Sequence, residues 1–271
     1  MKKILLLVLT LVPTMMWAGD NDDFGTWLEL SAEKALPYNM EIDLEGGLRT
    51  KDGSSLMERW DIGASLGYKA HKYLKLATGY SFLHDYTPKK TSKESFDEDG
   101  QLESYRLTPS YWSPRHRLFV EASSGIKFWK WLRISARVRY QYTFQPEREV
   151  SRTDYERNDQ YTPEGPVTTW EEDASTKTYP SEDRHVLRTR IKFSVDKKRL
   201  RWSPFISAEF HNNVAAGEHF NFDKLRTSVG TDYKINKHNG IGLSYVMTLN
   251  RMDGHPYERM HALSASYSFH F

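Results

Sequence analysis

Six cations stand at every second position in two segments of the chain. Arg133, Arg137 and Arg139 occupy odd positions of "RISARVRYQYTF", residues 133–144, and Arg188, Arg190 and Lys192 occupy even positions of "LRTRIKF", residues 187–193. Arginine stays protonated in proteins, and its planar fork grips carboxylates and phosphates with two prongs. Such groups do not shuttle protons; they hold anions or pair with acids. Glu41, Asp43 and Glu45 in "MEIDLEGGL" are acids at the same spacing. Two chemistries follow. Acidic and basic walls can face a narrow aqueous lumen whose transverse field selects polar solutes or anions. Alternatively the arginines reach across to the acids and fill the lumen with a salt-bridged plug. Like charges on neighbouring strands repel unless anions intervene, so the two basic segments need one of these answers.

Catalytic spacings are sparse. No zinc-ligand spacing, phosphate loop or Gly-x-Ser-x-Gly elbow occurs. A His followed two residues later by Ser would put both side chains on one side of a strand, as a barrel lipid hydrolase needs. None of the ten histidines has that neighbour. Ser268 and His270 have the spacing in reverse, and His261 and Ser264 lie three apart and so on opposite faces. His84–Asp85 and His211 are the remaining candidates for a lipid- or peptide-directed hydrolytic site at a rim. A rim histidine is more often simply solvated, so no catalytic, cofactor or metal residue is assigned and no cofactor is expected.

The elements that must position these charges are extended. Strict alternation of Ile134, Ala136, Val138, Tyr140, Tyr142 and Phe144 with the polar set is a period-two strand whose faces meet different solvents. The pattern recurs in about eleven segments of roughly ten residues, near the ~9–11 that cross a bilayer as a tilted strand. Short turns fall at "LPYN", "KAHK" and "DKKR", and from residue 50 onward short connections alternate with long polar ones, notably 86–115 and 145–184. Glycines 63, 67, 79, 230, 240 and 242 fall on the polar face, as a crowded interior requires.

The chain of 271 residues has a net charge of +2 and a mean hydropathy of −0.70, values ordinarily met in a soluble protein. Its start argues for export: Lys2 and Lys3, an apolar run from Ile4 to Val12, Pro13, then Ala18 and Gly19. That is the layout of a signal peptide, expected over 1–19, with the mature domain at 20–271. Cysteine is absent while aromatics reach 14%, which leaves a secreted β-sandwich that binds ligands or an outer-membrane barrel. The period-two pattern alone fits either. Tyrosines near strand ends and "FWKWL" at a turn favour the barrel, since amphipathic rings gather at membrane interfaces.

The last strand, "MHALSASYSFHF", carries Tyr267, Phe269 and Phe271 on one face. It is similar to the assembly signal of bacterial outer-membrane barrels. "DFGTWLELSAEKAL", "YSFLHDY", "HRLFVEASSGIKF" and "RVRYQYTF" resemble the family of outer-membrane proteins called domain of unknown function 2490. The resemblance implies outer-membrane location and brings no catalytic residues. Outer-membrane lipid and the barrel-assembly machinery are then the expected partners, with small solutes and without nucleic acid. The expected fold is an all-β, antiparallel, up-and-down transmembrane barrel of 10–12 strands. Because single-chain bacterial barrels have even counts, twelve is expected, with "ESYRLTPSYW" (103–112) as the extra wall strand. The expected role is structural or that of a narrow solute pore.

Overall fold

The computed structural model describes residues 22–271 apart from 163–164, 198–199, 215–220 and 253–254, so the expected signal peptide lies outside the described residues. Period-two alternation becomes long strands: β1 (Asp22–Ala35), β2 (Met40–Lys51), β3 (Leu56–His71), β4 (Leu74–Thr87), β5 (Lys90–Phe96), β6 (Leu102–Thr108), β7 (Tyr111–Lys127) and β8 (Leu132–Gln145). They continue as β9 (Arg148–Thr162), β10 (Gly165–Tyr179), β11 (Glu182–Val195), β12 (Trp202–Asn213), β13 (Asn221–Lys234), β14 (Asn239–Met252) and β15 (His255–His270). Among the described residues there is no helix.

Eleven of these strands close into a barrel in the order β1, β15, β14, β13, β12, β11, β8, β7, β4, β3, β2. A closed ring has no free edge, and a two-sheet sandwich does not have this topology. Eleven replaces the expected twelve. Residues 103–112 do contain strand, but β6 lies in a separate four-stranded sheet ordered β10, β9, β6, β5. The all-antiparallel expectation is also corrected. In a meander each strand reverses the last, so an odd count leaves the first and last running the same way. β1 and β15 accordingly pair parallel, from Asp22 opposite Arg259 to Glu33 opposite His270.

The chain divides into two compact units. One comprises the chain up to Leu83, His116–Thr143 and Arg184–Phe271; the other comprises His84–Arg115 and Phe144–Asp183. In the first, turn chemistry sets the register. Asp52, Gly53 and Ser54 all take positive φ (55°, 63° and 71°) in the turn from β2 to β3, closed by the Ser55 amide donating to the Asp52 carbonyl at 3.0 Å. Aliphatic side chains lie exposed on the outer face of the wall, with Leu30 at 62% and Leu243 at 57%. The second unit holds its sheet by Tyr105 stacked on Tyr155 at 4.8 Å, Trp170 edge-on to Tyr105 at 5.3 Å, and a two-pronged Arg106–Asp154 pair at 2.6 Å on each prong.

The seam is directly testable because the chain has no cysteine. Leu28 and Ala265 are register partners on β1 and β15. The double variant Leu28→Cys/Ala265→Cys is expected to form an intramolecular disulfide on mild oxidation, since adjacent-strand Cα atoms fall within the bonding range of roughly 4.4–6.8 Å. Boiled, unreduced protein would then migrate faster than reduced protein. Leu28→Cys/Leu243→Cys, two strands apart, would not cross-link.

Candidate functional site

The same alternation that exposes the aliphatic face turns the charges inward. A lumen cavity of about 440 Å³ is lined by Asp43, Glu45, Arg137, Arg139, Arg188, Arg190 and Lys192. A second cavity of about 610 Å³ is lined by Arg133, with Arg137 and Arg190 shared. Glu41 is buried and held by Lys69 at 3.2 Å and by Lys75. Gly67 makes room for that bridge, because a Cβ there would stand 2.8 Å from Glu41 Cγ and 2.9 Å from Lys75 Cε.

Arg137, Arg139 and Arg188 find their acids on β7 and β12 rather than on β2. Glu209 on β12 receives Arg137 Nη2 and Arg188 Nη2 at 2.5 Å each, and His211 Nε2 lies 2.9 Å from its Oε1. Arg226 Nη1 approaches Glu209 to 3.8 Å. Glu121 on β7 takes Arg139 Nε at 2.6 Å and Arg137 Nη1 at 3.7 Å. Arg139 also lies 4.0 Å from the Phe119 ring centre, a cation–π contact made possible by Gly79, where a Cβ would clash with Phe119 at 2.5 Å. Lys192 pairs with Asp232 at 3.0 Å and covers Phe205 at 3.8 Å. β11 lies between β8 and β12, and Arg190 faces Glu209 in register, so Arg137 and Arg188 converge on one carboxylate.

The acids of β2 keep a separate environment. Asp43 sits beside Glu45 and Glu33, and its Oδ1 is buried without a hydrogen-bond partner. Sequence reasoning missed Glu209 and Glu121 as counter-charges. Both stand on polar faces of alternating segments, so parity alone placed them inward; strand adjacency was the missing information.

A family model described as "Protein of unknown function (DUF2490)" matches residues 24–259. The chain belongs to the DUF2490 family. No curated protein matches its sequence. In this DUF2490 chain the match begins in β1 and ends in β15, so it spans the barrel wall and the four-stranded sheet.

The other residues singled out in the sequence have defined places. The Tyr267 hydroxyl donates to the Asn239 side-chain oxygen, Phe269 and Phe271 meet edge-on at 4.7 Å, and the Phe271 amide donates to the Glu33 carbonyl at 2.9 Å across the seam. His84 stacks on Trp112 at 4.9 Å, and His211 is committed to Glu209. Among the described residues no group of three or more His, Cys, Asp or Glu side chains is arranged to hold a metal ion.

In the four-stranded sheet, Arg106 holds the Asp154 carboxyl below the ordinary carboxylate range. Asp97 is lowered too, first by the Gln101 amide and then by Arg157. A carboxyl whose folded pKa is depressed adds stability above its unfolded pKa and loses it as pH falls through the folded value. Near-ultraviolet circular dichroism of the Tyr105–Tyr155–Trp170 stack is therefore expected to decline in acid, below the unfolded Asp value of about 3.9. Asp154→Asn should flatten that profile.

The lumen network gives a second expectation. Glu209→Gln strands several buried guanidiniums and should lower the unfolding free energy by about 3 kcal/mol or more, read from urea midpoints of protein refolded into vesicles. Glu45→Gln, which relieves repulsion with Asp43, should leave stability equal or higher.

Proposed function

We infer that this DUF2490 protein is an outer-membrane barrel, exported by cleavage of residues 1–19, whose charged lumen is a narrow pathway for small polar solutes. The observation that carries this is an exposed aliphatic band bounded at both ends by aromatic rings. Near one end lie Trp129 stacked with Trp131 at 5.5 Å, Trp202 against Tyr233 at 4.5 Å, and exposed Tyr73 and Tyr267. Toward the other end two exposed tyrosines and one buried one face histidines: Tyr80 Oη is 2.8 Å from His116 Nδ1, Tyr140 Oη 2.7 Å from His185 Nδ1, and the buried Tyr245 Oη 2.5 Å from His261 Nδ1.

Leu28, Leu30, Leu44, Ile62, Leu118, Val120, Val138 and Leu243 lie exposed between the two sets. Water penalises such a band; hydrocarbon does not. Trp131 lies in the turn just before β8, and Leu132 to Tyr140 is eight steps along that strand. At a rise of about 3.3 Å per residue and a tilt of about 40°, eight steps span roughly 20 Å, close to the apolar band of about 25 Å in outer-membrane barrels. Membrane lipid and, during biogenesis, the barrel-assembly machinery would be the partners.

Eleven strands fall between small barrels filled by side chains and porins with wide channels. A second reading, a closed plug, draws support from the convergence of Arg137, Arg188 and His211 on Glu209. Electrophoresis and planar-bilayer recording separate the readings. Unboiled protein from a membrane fraction should migrate apart from boiled protein, and folded protein should give small discrete conductance steps. Folded protein without steps favours the plug; soluble partitioning with identical migration contradicts the membrane assignment.

A further inference from the structure

We propose that the lumen holds a binding site for a free oxyanion, inorganic phosphate or a small phosphorylated solute, built around Trp27 by Arg49, Arg117 and Arg226. The site rests on the reading of the lumen as a water-filled pathway. Arg49 and Arg117 stand outside the Glu209 and Glu121 ion pairs, and Arg226 reaches Glu209 only at 3.8 Å.

Trp27 points into the barrel and is only 5% exposed. The Arg49 guanidinium lies 4.5 Å and the Arg226 guanidinium 4.8 Å from its ring centre. Two cations on one indole are favourable individually but repel each other. Arg117 adds a third cation, with Arg59, Arg188 and Arg49 as like-charged neighbours against the single carboxylate of Asp61. Arg49, Arg117 and Arg226 line the same 440 Å³ cavity as Trp27.

Counter-charge is not directly paired there: Glu29 and Asp61 border the cavity, but among the described residues neither is within ion-pairing distance of Arg49, Arg117 or Arg226. Glu209 is taken by Arg137, Arg188 and His211, and reaches Arg226 only at 3.8 Å. Among the described residues Arg49 and Arg117 have no carboxylate within ion-pairing distance; Arg117 has a 3.4 Å contact with the Thr143 hydroxyl, and Arg49 faces Trp27. Unsatisfied donors coincide with the surplus cations. Trp27 Nε1, Arg226 Nε and Arg137 Nε are buried with no acceptor, and all three residues border this cavity. A buried N–H without a partner is destabilising, so surplus positive charge and surplus donors call for the same thing: an acceptor-rich anion.

Chemistry narrows the class. A halide offers charge without the several directed lone pairs that three separate donors require. A tetrahedral oxyanion offers both, and guanidinium forks fit its oxygens two at a time. A free ion is favoured over a lipid headgroup because the lining is mostly polar, serines 244, 264 and 266 included, with Leu30, Phe205 and Val246 the few aliphatic or phenyl side chains beside Trp27.

Calorimetry on the refolded full mature chain in detergent tests this, with sodium phosphate titrated against sodium chloride at matched ionic strength. Every sample is first checked for a heat-dependent shift in migration. Saturable phosphate binding is expected, weakened about tenfold or more by Arg226→Gln or Arg49→Gln, as the loss of a charge-assisted bond implies. Arg133→Gln, which borders the other cavity, should bind as the parent does. Should an arginine variant fail to fold, Trp27→Phe keeps an aromatic face and removes the indole N–H, and it too should bind more weakly. Dihexanoyl phosphatidate should not compete; if it does, a headgroup is the ligand and the free-ion assignment is wrong. Heat-shifting parent protein that binds no phosphate, or binds it equally well in all variants, overturns the site alone. Parent protein with no heat shift overturns the membrane-barrel reading instead.

Discussion

The twelve register pairs between β1 and β15 hold the ring shut, and the separation of the wall's two faces depends on them. Without that seam both strands would be free edges, with a row of unpaired backbone groups that neither lipid nor a crowded interior satisfies. With it, each side chain of the wall faces either outward or inward. The parallel arrangement follows from the odd count, and contacts next to the chain's end reinforce it. The Phe271 amide continues the pairing onto Glu33, and Lys34 lies 6.0 Å from the Phe271 ring.

Closure puts many charges into a small volume, and the lumen answers this locally. Glu121 pairs with Arg139 and Glu209 with Arg188 on adjacent strands, and Arg137 reaches Glu209 over the single intervening strand β11, so no side chain need stretch across the interior. Burying ions is costly, so such a web contributes less to net stability than its short distances suggest; breaking it from one side is what costs most. The arrangement leaves two unbalanced regions. Asp43, Glu45 and Glu33 share a negative corner, while Arg49, Arg117 and Arg226 share a positive one around Trp27. A field therefore runs across the cavity, the property expected to matter for any polar solute that enters it.

The eleven wall segments were legible because each shows an apolar face of period two. Their number was misread through the even-count rule: no residue in β1 announces that it starts at the same end as β15, since strand direction at a seam is a global property. Apart from β6, anticipated as strand but assigned to the wall, the four-stranded sheet was silent for a different reason. β9 and β10 carry polar and charged residues on both faces, as in "REVSRTDYERNDQYT", so hydrophobic periodicity had nothing to report. Only its rings, Tyr105, Tyr155 and Trp170, signal packing, and they lie far apart in sequence. Arg137 and Arg188 were visible as inward charges, but their shared partner Glu209 required the order β8, β11, β12.

The account stands or falls on whether the two faces of one strand meet lipid and lumen. A spin-label scan of single cysteines along 133–140 in the otherwise cysteine-free chain, refolded into vesicles, measures this most directly. Labels at Ile134, Ala136 and Val138 should relax with dissolved oxygen, and labels at Arg133, Ser135 and Arg137 with a polar nickel chelate or with neither, in strict alternation. Collisions with the polar reagent at Ile134, Ala136 and Val138 would place that face in water and contradict the account.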